Sequence, residues 1–198
     1  MRLRDAFRAV FKARVSGAGA VVLFAILIYM LALVPVVIPC QHSVSLKIHS
    51  YNCAKALWSA LSLELDGGDI EFSGGLDGAF SRMCGAAGLP RSAVWFGPGG
   101  GESGAPAWEI LARIPRNSPP DMPIAWTRGL GPDGAWDASG GVFGASGGHI
   151  VFFGGKIEWR ETLFDDDGRP VLKNFKTGAP TCDIGEAVFG GEGNILRD

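Results

Sequence analysis

Apolar and polar positions fall into three regimes along the chain. No residue between Arg14 and Lys47 is charged, and residues 18–39 form an apolar run of 22 residues. As a helix rising 1.5 Å per residue, such a run spans about 33 Å, enough for a hydrocarbon core of about 30 Å. The pattern therefore predicts a transmembrane helix over 17–41, with a buried core helix as the alternative. Each Val, Leu, Ile and Phe in it favours insertion by about 0.3–0.6 kcal/mol, and no charge opposes the sum. In the second regime Ile48, Tyr51, Ala54, Trp58, Leu61 and Leu65 recur at steps of three and four. That predicts an amphipathic helix over 42–66 with this face inward, ended by the breaker cluster Asp66-Gly67-Gly68-Asp69. In the third regime, 67–198, glycine and proline punctuate short apolar runs at 93–96, 108–114, 123–126, 150–153 and 156–160. These predict a Gly-rich antiparallel β domain, with 107–113 as its one helical candidate.

The sharpest local expectation is a hairpin over 149–160, because two β-rich runs flank Gly154-Gly155 and a two-residue loop needs the positive φ that glycine adopts without strain. Phe153 then faces Lys156, Phe152 faces Ile157 and Ile150 faces Trp159. In that register Ile150, Phe152, Ile157 and Trp159 form the hairpin core against the N-terminal helix, and His149, Val151, Phe153, Glu158 and Arg160 share the other face. A second hairpin is expected to turn at 165–168 and to join 161–164 to 170–175.

Charge gives the apolar run an orientation. Residues 1–16 carry Arg2, Arg4, Arg8, Lys12 and Arg14 against Asp5, a net of +4, while 17–198 hold 13 basic and 19 acidic residues, a net of −6. The basic leader should stay cytoplasmic, which makes this a single-pass protein of the inner membrane with its C-terminal domain periplasmic or extracellular. Leu3, Phe7, Val10 and Phe11 fall at helical spacing among those basic residues, so the leader can lie on an anionic leaflet. The run ends in Val-Val-Ile-Pro, not a small-x-small site, and Pro39 stands where a lipoprotein box has a small residue before Cys40; secretory cleavage and lipidation are both disfavoured. The acidic exterior disfavours nucleic acid, whose phosphates need a basic patch.

The candidate chemistry is thin. His149, Ser146 and Asp137 lie close in sequence, but there is no Gly-x-Ser-x-Gly elbow, and a His at a strand start reads as a surface residue. His42 and His49 are seven residues apart, too far for an i, i+4 metal pair. Pro98-Gly99-Gly100-Gly101 lacks the Lys-Ser/Thr of a phosphate loop, and the acidic run 165–167 lacks the spaced Glu of a calcium loop, so it reads as a solvated turn. Of the six tryptophans, Trp58, Trp126 and Trp159 fit inward faces. No catalytic, cofactor or metal site is expected, and the chain is not expected to be an enzyme.

The layout resembles type IV prepilin-like proteins, including pseudopilins of type II secretion and the related processing-associated family marked by a His, nine residues, then Asp-Gly. The resemblance rests on the basic segment from Lys12 to Gly17, Pro39 at 22 residues beyond Gly17, Cys53 a further 14 on, and the polar helix that begins Cys53-Ala54-Lys55-Ala56-Leu57. Ile124-Ala125-Trp126 and the segment from Gly148 to Trp159 match the family's closing strands. The resemblance implies an α+β, pilin-like fold, a long N-terminal transmembrane helix packed on a C-terminal antiparallel β-sheet. It also implies leader processing between Gly17 and Ala18, and oligomerisation, with itself or with related subunits, through the N-terminal helix. A second cysteine after the polar helix implies a disulfide, with Cys53 and Cys84 the preferred pair and Cys182 an alternative partner for either. Val22 replaces the glutamate that such proteins carry five residues after the processed glycine, and Gly144 and Gly154-Gly155 replace the signature His and Asp-Gly. The expected role is a non-enzymatic pilin-like or pseudopilin-like structural subunit, minor or non-assembling. The alternative is a membrane-tethered extracytoplasmic binding domain.

Overall fold

A computed structural model describes residues 44–97 and 103–197. The leader over 1–16, the apolar run over 17–41, the processing residues Gly17 and Ala18, Cys40, and the loop from Pro98 to Gly101 lie outside them. Among the described residues no helix is long and apolar enough to cross a membrane. Leu46–Asp198 forms one unit.

Its first element is the polar helix, α1, which occupies 44–66 and stops where the breaker cluster was expected. Gly67 and Gly68 close it, their N–H groups reaching back to the carbonyls of Glu64 and Leu65. The buried stripe of α1, however, is Leu46, Ser50, Cys53, Ala54, Leu57, Ala60 and Leu61. The helix is thus rotated from the expected face: Ile48 and Tyr51 are exposed. The stripe mixes leucines with small side chains, which lets a helix backbone settle close to what it covers.

The rest of the unit is α+β. Elements in order are β1 (Ile70–Glu71), α2 (Gly75–Ala86), β2 (Trp108–Leu111), β3 (Arg113–Ile114), β4 (Pro123–Thr127), β5 (Gly148–Phe152), β6 (Ile157–Arg160), β7 (Leu172–Lys173), β8 (Pro180–Thr181), α3 (Ile184–Ala187) and β9 (Ile195–Leu196). A five-stranded antiparallel sheet runs β6-β5-β4-β2-β9, flanked by the two-stranded pairs β1-β3 and β7-β8. Segment 108–111 is strand, so the helical candidate over 107–113 is not realised. α2 was not expected: Leu76, Ala79, Phe80 and Met83 bury at i, i+3, i+4 and i+7, a period hidden in sequence by Gly75, Gly78 and Gly85. β2, β4 and β5 are buried along their whole lengths, because the sheet is covered on both faces.

The hairpin of β5 and β6 forms, but one residue out of the expected register. His149 pairs with Trp159, Ile150 with Glu158 and Val151 with Ile157. A one-residue slip exchanges faces on one strand, so the expected core set is split. Ile157 and Trp159 share their face with Val151 and His149, while Ile150 and Phe152 lie on the opposite one with Glu158 and Arg160. The loop holds three residues: Phe152 N–H donates to the Lys156 carbonyl, and Gly155 N–H to that of Phe152, both at 2.9 Å. Only Gly155 has positive φ, at 85°, the signature of a turn closed by a left-handed glycine bulge. Gly154 serves a different purpose. Its N–H donates to the Pro120 carbonyl at 2.9 Å, and a Cβ there would come within 2.9 Å of the proline ring. The turn at 165–168 forms as expected, with Gly168 N–H on the Asp165 carbonyl and Phe164 bridging Pro170, but the expected hairpin goes no further as a ladder, because Leu172–Lys173 pairs instead with Pro180–Thr181.

One buried charge ties the sheet centre to its edge. Glu109 on β2 is 5% exposed. It accepts from Trp126 Nε1 at 2.8 Å, from Gly129 N–H at 3.2 Å and from Arg197 Nε at 2.7 Å. Removing the carboxylate leaves the buried Trp126 Nε1 and the Gly129 N–H without an acceptor, so Glu109→Ala is expected to cost about 2 kcal/mol, read as a lower denaturant midpoint by tryptophan fluorescence. Gly155→Ala should cost about 2 kcal/mol in the same assay, since left-handed backbone disfavours alanine by about 1–2 kcal/mol. Its Cβ would also sit 2.7 Å from the Trp58 ring.

Candidate functional site

The densest grouping of chemically capable side chains lies where α1 covers β5 and β6. Ser50 Oγ is 3.0 Å from His149 Nδ1, and both residues are buried. The His149 backbone N–H donates to Thr127 Oγ1 at 3.1 Å. Around the imidazole stand Trp159, with ring centroids 5.1 Å apart, Tyr51 at 6.0 Å and Phe143 at 6.3 Å; Phe143 also meets Trp159 edge-on at 4.9 Å. Lys47 Nζ lies 4.0 Å over the Trp159 ring. Further along α1, Trp58 Nε1 donates to the Phe153 carbonyl at 3.4 Å. The helix therefore follows β5 from its first residues to the hairpin turn.

His149 is thus not the surface residue its position suggested. Burial, and secondarily the nearby Lys47 charge, push its pKa down from 6.5 to about 4. Buried and hydrogen-bonded to the fully buried Ser50 hydroxyl, the imidazole fastens α1 to β5. Ser146 and Asp137 do not join it. Ser146 ends a 3-10 turn over Gly144–Ser146, and the Asp137 carboxylate, held low first by the Ser139 backbone N–H and hydroxyl, accepts from Ser139 two residues on, in a turn of its own. Sequence reasoning missed Ser50, Lys47 and Phe143 as partners of His149. A polar Ser in line with Leu46, Cys53, Ala54 and Leu57 was the available signal for Ser50, because a buried hydroxyl needs a partner.

The expected Cys53–Cys84 disulfide is not formed; Cys53, Cys84 and Cys182 are free thiols. Cys53 is turned into the packed side of α1, its Sγ 3.5 Å from His49 Nε2 one turn earlier, and His49 meets Phe96 edge-on. Burial raises the Cys53 thiol to about 11. Burial also raises Cys84 on α2, against the pull of Arg91.

A second feature is an open cleft of about 340 Å³ lined by Asn174, Lys176, Asp183, Glu186 and Glu192 among others. Its carboxylates are already engaged. Asp183 caps α3 by accepting from Gly185 N–H at 2.8 Å, Glu186 accepts from Thr181 Oγ1 at 2.8 Å, and Glu192 pairs with Arg197. In the acidic turn, Asp165 Oδ1 accepts from the Asp167 and Arg169 N–H groups. Among the described residues no group of three or more His, Cys, Asp or Glu could hold a metal ion.

The fastener makes stability depend on pH. Between pH 6.5 and about 4 the unfolded chain protonates His149 while the folded chain does not. Stability is therefore full above 6.5 and falls by about 3 kcal/mol as the pH drops through that window. Denaturation midpoints measured from pH 7 to 4 should follow this fall, and His149→Gln should flatten it. Ser50→Ala should cost about 1–2 kcal/mol at pH 7, since it leaves a buried ring nitrogen unpaired. Alkylation in denaturant without reductant, read by mass, should modify both Cys53 and Cys84.

No protein-family model, curated protein or solved structure matches the chain, so its role has to be argued from this geometry.

Proposed function

We propose that this protein is a non-enzymatic, membrane-anchored structural subunit of pilin-like or pseudopilin-like kind, a minor or non-assembling member of its system. The observation that carries the reading is the order and packing of elements. A helix that follows directly on a charge-free apolar run lies along a sheet in which β2, β4, β5 and β6, its successive strands, stand side by side. The seam between them is filled by fasteners, not by an accessible nucleophile and base. Support from sequence comes from the basic leader, Gly17-Ala18 and the spacing to Pro39 and Cys53. In such a subunit the apolar run is held by lipid, then by neighbouring helices, while the β domain stays outside the bilayer.

A second reading, a binding domain on a plain tether, is favoured by the open cleft beside α3. The two differ in what happens to the leader. Intact-mass and N-terminal analysis of protein purified from membranes should find Ala18 as the first residue under the subunit reading. Retention of Met1 contradicts processing and favours the tether.

A further inference from the structure

Four of the five exposed large apolar side chains of the described residues, Val44, Ile48, Tyr51 and Leu63, belong to α1. Ile48, at 57% exposed, lies on the side opposite the stripe that packs on the sheet, and Tyr51, at 38% exposed, lies about one turn on at the rim of the seam, one side of its ring toward His149. Lys55 Nζ sits 4.6 Å over the Tyr51 ring, and Lys47, one residue before Ile48, rests over Trp159. Neither lysine has a carboxylate partner among the described residues. From residue 6 to residue 63 the sequence contains no Asp or Glu at all. The outer face of this end of α1 is therefore an apolar stripe edged by uncompensated positive charge.

We infer that this face seats the domain on the anionic headgroup layer of the membrane that holds the apolar run. The inference rests on the reading of 17–41 as a span, and extends it to the folded domain. Three observations favour lipid over a second protein. First, Lys47 is eight residues beyond Pro39, and eight residues span at most about 28 Å, so the stripe is within that reach of the end of the apolar run. Second, two lysines with no acid among them complement phosphate, their stems covering apolar surface while the ammonium groups reach water. Third, Ile48 and Tyr51 offer little more than one turn of apolar surface, far below the roughly 800 Å² per partner of a stable protein interface. Tyr at the boundary and Ile below it suit a headgroup layer, where amphipathic rings concentrate.

The test uses the full chain in vesicles of phosphatidylglycerol and phosphatidylethanolamine, with a photoactivatable diazirine side chain at position 48, 51 or 164. Phe164 is an exposed apolar residue remote in sequence from α1. Irradiation should give lipid adducts at 48 and 51 at least tenfold above those at 164. Lys55→Glu should lower the yield at 51 severalfold, and phosphatidylcholine vesicles should do the same. Adducts between two chains at 48 and 51, or lipid yields no greater than at 164, overturn the inference. Alkaline extraction of the same vesicles separates the two levels. Loss of the chain into the wash overturns the span and the seat together, whereas retention without lipid adducts overturns the seat alone.

Discussion

The fold depends on one constraint: α1 must lie against β5 and β6 while keeping a polar pair inside the seam. Ser50 and His149 meet there under a collar of Tyr51, Phe143 and Trp159. A buried hydroxyl and a buried imidazole are costly apart and harmless together, so the pair specifies which face of the helix turns inward. Small residues at 50, 53, 54 and 60 serve the same end by admitting the sheet. Once α1 is fixed in that rotation, Ile48 is forced outward, Tyr51 is left at the rim of the seam, and the Trp58 ring lands on the Gly155 turn.

The sequence carried the order of elements better than their orientation. The helix end at Asp66, the strand runs, and the turns near residues 155 and 168 were all legible, because breaker residues and apolar runs act locally. The helix face was not, since large apolar residues occur on both sides of α1 and the deciding residues are Ser50, Cys53 and Ala54, which a hydrophobicity pattern undervalues. The hairpin register failed for a related reason. Gly154-Gly155 looks like a two-residue turn, but Gly154 is required by its contact with Pro120, a residue far off in sequence. Of the two glycines, only Gly155 supplies the left-handed conformation, and that shift by one residue moves His149 into the seam. The second helix was obscured by its own glycines, although its four buried residues keep helical period.

These corrections sharpen the functional reading. His149 is hydrogen-bonded to Ser50 of α1, and the Asp137 carboxylate is bonded to Ser139. Free thiols at 53 and 84 leave that fastener, the packed stripe and the Glu109 cluster to hold the unit together without a covalent staple. The same rotation leaves Ile48 exposed on the outward face of α1. Helix α1 and the sheet are packed as one unit.

The central claim is that α1 and the sheet are one cooperative body joined through the Ser50–His149 seam. Native-state amide hydrogen exchange on the full-length protein tests it directly, because it reports the opening free energy of each element separately. The account predicts that amides of residues 50–61 and of β5 exchange with the same free energy and respond together to denaturant. Exchange from α1 that is orders of magnitude faster than from β5 would mean that the helix opens alone, and would contradict it.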